Sequence, residues 1–381
     1  MARAAEIVIV GAGIVGAACA REFARAGHDV LVLDASAPGA GTTAAGMGHI
    51  VVMDDSDAQM KLTSLGRELW HQLLAELDGE AGARAEVDPT GTLWVAEDDS
   101  DLQVVYSKHA YYAEHGIATE VLDAHALHEA EPELRSGLPG ALRVPDDLVV
   151  YAPSVVDALL RDAVSHGARV EVQRALRVGS GTVQLEDGRT IDANRVVNAA
   201  GEGAMALLDE SARGGIELRQ RKGQLAITDR YPGFARHQLV ELGYLKSAHG
   251  HAASSVAFNL QPRKTGQMLL GSSREFDAQD ARVDEDLLHA MIERAEAFLP
   301  RIADLQVLRC WAGFRVATSD HLPLIGPATS DPSLLLACGH EGLGITTSLS
   351  TARLLVEHVQ GVGASTDIEP YLPSRFDLSS T

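Results

Sequence analysis

The chain has 381 residues, 46% of them hydrophobic, which suits about two globular domains of ordinary composition. Its formal net charge of -21 argues against nucleic acid and against an anionic membrane surface, both of which are met with Lys and Arg, and is read as solubility. Cys19, Cys310 and Cys338 are few, far apart and flanked by apolar residues. That spacing suggests neither a disulfide framework nor a metal site and fits a reducing compartment. The first apolar run begins at Glu6 and ends in glycines, unlike a signal peptide, and no stretch has the length to span a bilayer. A cytoplasmic protein is expected.

Glu6-Ile7-Val8-Ile9-Val10 reads as a buried strand, and Gly11-Ala12-Gly13-Ile14-Val15-Gly16 follows it as GxGxxG. A helical stretch with Val15, Cys19, Phe23 and Ala26 on one stripe ends at Gly27. Val30 to Leu33 is a second strand that stops at Asp34. This is the βαβ dinucleotide fingerprint in its required context. The glycines permit the turn, close approach to a pyrophosphate and tight helix packing, and the helix N-terminus attracts the phosphates. Asp34 accepts from ribose hydroxyls and would repel a 2′-phosphate, so NADP is disfavoured; NAD and FAD both remain.

Ala35 to His49 is small, polar and glycine-rich, suited to wrapping a flat or phosphorylated ligand. Ser56-Asp57-Ala58-Gln59 resembles a capping box and opens a helix with Leu62, Leu65, Leu69 and Leu73 on one face. Thr92 to Val95 is a strand, about Asp101 to His115 a helix, and Glu131 to Asp147 is expected to be irregular. Pro153 suits the start of a helix that Gly167 stops, and Arg169 to Val172 is a strand. Asp187-Gly188 between two short strand patterns signals a hairpin. Arg195 to Gly201 is an apolar strand running into small residues. From Gly215 to about Ser273, alternating runs suggest an antiparallel sheet with one face available for a ligand. Asp284 caps a helix that closes at Pro300, and Leu305 to Trp311 returns as a strand. Leu334 to Cys338 is a buried-type strand, Gly339 to Gly344 a second glycine-rich turn, and the last helix is expected from near Ile345.

Four pieces together resemble the flavin-dependent amine oxidoreductases of the D-amino-acid oxidase and glycine/sarcosine oxidase superfamily. They are the N-terminal fingerprint, Val196 to Gly201, Trp311 to Gly326 (WAGFRVATSDHLPLIG) and Cys338 to Ile345 (CGHEGLGI). Within that group, TTAAGMGHIVVMDD and GHEGLGITTS look most like the catalytic subunits of bacterial hydroxyproline dehydrogenases and opine oxidases. The resemblance implies an α/β fold. A Rossmann-type FAD-binding domain, formed by 1–88, 146–214 and 322–381, would be interleaved with a mixed or antiparallel-sheet substrate domain, formed by 89–145 and 215–321. It also implies non-covalent FAD: relatives that attach the flavin use a Cys where this chain has Gly313, or a His where it has Thr43.

By position, the resemblance assigns Gly11, Gly13 and Gly16 to the pyrophosphate and Asp34 to the adenosine ribose, and counts Ile14, Val15 and Ala35 as cofactor-binding. Thr42, Thr43, Gly46, Met47 and Gly48 fall along the flavin and Gly201 near the pyrophosphate, with Ala45, Ala200 and Gly339 also counted as cofactor-binding. Gly342, Leu343, Gly344 and Ile345 fall at the flavin's pyrimidine edge, where a helix N-terminus would stabilise the charge of the reduced ring. Arg315 matches the arginine that holds a substrate carboxylate, although Val316 stands where Pro often follows. His340 is taken as structural. Tyr244, His249, His251 and His49 are candidates to orient the substrate.

The implied reaction is oxidation of a small amino acid, a D-hydroxyproline or proline for preference. Hydride would pass from Cα to flavin N5, and electrons onward to a partner subunit, quinone or carrier. Homo- or hetero-oligomers are both compatible with the sequence. An O₂-using oxidase of opines, glycine, sarcosine or D-amino acids, with Lys222, Lys246 or Lys264 promoting the oxygen step, and a non-catalytic flavoprotein subunit are the alternatives.

Overall fold

The computed structural model describes residues 5–77, 79–243, 254–276, 278 and 280–376. The chain divides into two compact units, 1–85 with 151–220 and 314–381, and 86–150 with 221–313.

In the first unit the opening apolar run becomes the strand Ala5–Val10, paired in parallel with Val30–Asp34 on one side and Thr190–Asn198 on the other. A strand flanked and covered on both faces has no solvent side, which is why its sequence is continuously apolar. The sheet runs Leu324–Ala328, Asp331–Cys338, Thr190–Asn198, Ala5–Val10, Val30–Asp34, Arg169–Val172. Along this order only the Leu324–Ala328 edge is antiparallel. The sequence suggests two strands between Arg189 and Gly201, but Thr190–Asn198 is one. Its first residues form the expected hairpin with Thr182–Leu185 and its later ones lie beside the opening strand.

The first helix, Ile14–Arg25, buries Gly16, Ala17, Ala18, Cys19, Ala20 and Phe23 and packs against the helices Ala152–Ser165 and Ser348–Gln360. Small side chains allow this closeness: a Cβ on Gly16 would lie 1.9 Å from the Gly11 carbonyl oxygen. One buried cation ties the helices together. Arg21 contacts Glu22, Glu76 at 2.5 Å and Asp162 at 2.7 Å, the last two carried on Asp57–Glu76 and Ala152–Ser165. The Ser56 hydroxyl caps Asp57–Glu76 by accepting from the Gln59 N–H, as the capping-box pattern suggests. The last helix begins at Ser348, three residues after the expected position. Gly342 to Ile345 form a turn that leads into it, closed by the Thr347 N–H donating to the Leu343 carbonyl.

The second unit is built on a sheet ordered Val307–Ala317, Arg219–Arg230, Gln267–Phe276, Ser254–Pro262, Gln238–Glu241, Thr92–Ala96, Gly140–Val144, Glu120–Asp123. Gln238–Glu241 lies parallel to Thr92–Ala96, which makes the sheet mixed. Gly140–Val144 falls in the segment expected to be irregular; its short apolar run stands between Pro139 and Pro145, which mask it in sequence. Leu93, Val95, Leu239, Phe258, Leu260 and Leu270 form a core with Met291, Ala295 and Phe298 from the helical segment after Asp284. The Phe258 and Phe298 rings stack with centroids 4.7 Å apart. Among the described residues, no helix is long and apolar enough to cross a membrane.

Candidate functional site

A cleft of about 440 Å³ opens in the first unit at the carboxyl ends of its parallel strands. Gly11, Ala35 and Ser36, Gln173 to Ala175, Ala199 to Gly203 and Gly339 to Gly342 border it, each segment directly following a strand, and Asp34 borders it from the end of its own strand. Ligands of open α/β sheets bind at this edge.

Gly11, Gly13, Ile14, Val15, Asp34, Ala35, Thr42, Thr43 and Gly46 line the cleft, with Ala200, Gly201, Gly339, Gly342, Gly344, Ile345 and Arg315. Gly16, Ala45, Met47, Gly48, Leu343 and His49 are not among the lining residues. Gly16 is where the first helix touches the turn before it. His49 is half-buried, and its carbonyl accepts from the Thr346 hydroxyl at 3.1 Å. Tyr244, Lys246, His249 and His251 lie outside the described residues. Lys222 and Lys264 belong to the second unit, Lys222 buried and ion-paired with Glu275 at 3.3 Å. Sequence reasoning missed Gln173 and Arg174. Their signal was the strand just before them, whose parallel partner ends at Asp34.

The turn at the head of the first helix is held from outside. Its N-cap, Gly13, has no side chain, and the Ile14 N–H donates instead to the Thr43 hydroxyl at 3.0 Å. Asp34 is fixed by the Ala12 N–H on one carboxylate oxygen at 2.6 Å and the Ser36 N–H on the other at 2.8 Å. A carboxylate has about four acceptor directions, so capacity for ribose hydroxyls remains. A Cβ built on Gly41, Gly201 or Gly203 would meet nothing within 4 Å, so bare backbone faces open space along the cleft. Open backbone, a helix N-terminus and an acid at the second strand's end suit a dinucleotide.

At the other end, the strand Val307–Ala317 brings in Arg315, and its last residues, from Phe314 on, belong to the first unit. Ala317 bridges to His340, and the Glu341 N–H donates to the Val316 carbonyl at 2.9 Å. Arg315 therefore lies opposite Gly342, where a Cβ would stand 3.7 Å from a guanidinium nitrogen. The Thr42 hydroxyl donates to the Phe314 carbonyl at 2.9 Å, joining the early glycine-rich segment to the arginine strand. His340 is buried, and its Nε2 meets the Thr351 hydroxyl at 3.0 Å, which ties the turn to the last helix. Burial pushes its pKa down to about 4, so the ring is neutral at pH 7. Burial raises the thiols of Cys19 and Cys338 to about 12, leaving both inert.

The family model for DAO-type FAD-dependent oxidoreductases matches residues 6–358. The chain belongs to this family. It is 28% identical to the hydrogen cyanide synthase subunit HcnC of Pseudomonas aeruginosa, over 99% of this chain and 97% of that protein. The structure of glycine oxidase from Geobacillus kaustophilus superposes with a TM-score of 0.85 at 25% identity, covering 97% of this chain and 98% of that one. That of L-proline dehydrogenase from P. horikoshii gives 0.86 at 23% identity, over 99% and 98%, a likeness of fold alone. The enzyme is thus an FAD-dependent oxidoreductase, and the dinucleotide that suits its cleft is FAD.

Proposed function

We propose that this enzyme oxidises a small amino acid at its Cα–N bond, with a cyclic or D-amino acid such as a D-hydroxyproline or proline as the preferred substrate. The observation that carries the reading is Arg315, a cation lining the same cleft as the glycine-rich turns. When bound, FAD would supply a two-electron acceptor, taking the Cα hydrogen as hydride at N5. Arg315 binds the substrate carboxylate with two parallel hydrogen bonds, which fixes the plane of the substrate as well as its charge. His340 and Thr351 hold the Gly339–Gly344 turn that frames the guanidinium. His49 and Tyr244 are proposed to orient the amine or a ring hydroxyl. The substrate enters with its amine neutral and leaves as an imine that hydrolyses or cyclises. Positioning and electrostatics carry the rate, and no side-chain base is required.

A relative named as a glycine oxidase supports the amino-acid class. A relative named as a synthase subunit supports electron transfer to a partner or carrier, with direct use of O₂ as the second reading. Anaerobic bleaching of the flavin across proline, hydroxyproline, glycine, sarcosine, opines and D-amino acids tests the proposal, and peroxide yield against dye reduction separates the two acceptors. Arg315→Leu should raise KM by about 10²-fold or more for carboxylate substrates while FAD stays bound, since truncating one partner of a buried charge pair costs roughly 2–5 kcal/mol. A near-normal KM would sink the assignment.

A further inference from the structure

We propose that His321 and Glu341 form a positioning pair that holds Arg315 ready for a carboxylate; the inference rests on the reading of Arg315 given above. Both residues have left-handed backbones, with φ of 62° and 51°. That region is uncommon for residues that carry a Cβ and persists where the surroundings over-determine it. Their side chains meet, His321 Nδ1 lying 3.1 Å from Glu341 Oε2. Glycine would adopt either conformation without steric cost, so what His and Glu add is the contact between them.

The pair joins the two segments that frame the guanidinium. On one side, the Thr318 hydroxyl bonds to Asp320 at 2.8 Å and to the Leu322 carbonyl at 2.7 Å. Asp320 in turn accepts a fork from Arg375, at 2.7 Å and 3.1 Å. His321 therefore stands on a braced turn just beyond Arg315. On the other side, the Glu341 N–H is bonded to the Val316 carbonyl, and the next residue, Gly342, is the surface on which Arg315 lies. The clamp sets the spacing between the arginine strand and that surface.

Acetate, the smallest carboxylate, serves as the probe, titrated into the FAD-loaded enzyme by calorimetry. Asn tolerates the left-handed region but is too short to maintain the contact, so Glu341→Asn and His321→Asn break the clamp and spare the backbone. Glu341→Gln keeps a hydrogen-bonding partner for the imidazole. Acetate binding should weaken on the order of tenfold in both Asn variants and recover in Glu341→Gln, with FAD affinity within about twofold in His321→Asn, since His321 does not line the cleft. In an Arg315→Leu background, Glu341→Asn should add nothing, because residues acting through one another are not additive. Unchanged acetate affinity in folded Asn variants, or an additive double variant, overturns the inference. So does loss of FAD from both Asn variants, which would make the pair merely structural. Wild-type enzyme that ignores acetate, or Arg315→Leu that binds it normally, refutes the reading of Arg315 itself.

Discussion

The first helix begins at Ile14, its N-cap Gly13 has no side chain, and it takes its cap from Thr43. Thr43→Val keeps the shape and removes the hydroxyl, leaving the Ile14 N–H buried without an acceptor. An orphaned buried donor costs about 1–3 kcal/mol, and lost N-caps cost roughly 0.5–2 kcal/mol. The variant should therefore lose about 1–2 kcal/mol, or on the order of 2–8 °C in Tm for a unit of this size. Thr43→Ser retains the hydroxyl and loses one buried methyl, at most about 0.8 kcal/mol. Urea denaturation of the FAD-free proteins measures both without ligand stabilisation, and an FAD titration then reads the helix terminus directly. The Val variant should bind FAD more weakly than the Ser variant. A Val variant at least as stable as the Ser variant, with equal FAD affinity, would refute the claim that Thr43 serves as the cap.

The buried His340 makes stability depend on pH. The unfolded chain takes up its proton near pH 6.5 and the folded chain only near 4, so stability should fall as pH drops through that window, by up to about 1.4 kcal/mol per unit. Urea midpoints at pH 7, 6 and 5 should converge for His340→Asn; parallel pH slopes in wild type and variant would contradict this. The Arg21 cluster predicts a contrast with Arg25, which shares Glu76 and Asp162 but has a side chain 38% exposed, against 7% for Arg21. Arg21→Leu should cost about 1.5–3 kcal/mol, the worth of buried hydrogen bonds to charged groups, because Arg25 still holds Glu76 and Asp162 and Arg353 still reaches Glu22, and Arg25→Leu no more than about 1 kcal/mol. Similar chemical-denaturation losses for the two would show that burial does not set the value of these pairs.

What was legible in the sequence is what local chemistry decides. Gly11, Gly13 and Gly16 with Asp34, the Asp187-Gly188 hairpin and the caps at Ser56 and Asp284 each depend on residues close in the chain. What was hidden depends on distant partners. Thr43 caps a helix that begins at Ile14, and no local pattern marks it. Gly140–Val144 is a strand because Thr92–Ala96 and Glu120–Asp123 flank it, although its prolines argue for a loop. The parallel pairing of Gln238–Glu241 comes from the same source. The late start of the last helix has another cause: Gly342 and Gly344 are poor helix formers, and the Thr347 to Leu343 bond winds the chain before a regular ladder begins.

The site is assembled from segments far apart in sequence because parallel strands deliver their carboxyl ends to one edge. Val10, Asp34, Val172, Asn198 and Cys338 end neighbouring strands, and the residues just after each of them border the cleft. A turn lengthened or shortened at that edge alters the ligand surface and leaves the strand register intact, whereas a slipped strand would move every one of these turns. Arg315 is the exception, since it comes from a strand of the other sheet. Its placement relies on side links to this edge: the Ala317–His340 bridge, the bond from Thr42 to Phe314 and the contact between His321 and Glu341. Cofactor binding should therefore tolerate changes in these links better than carboxylate binding does, which is why acetate affinity, measured apart from FAD affinity, is the sharper readout for them.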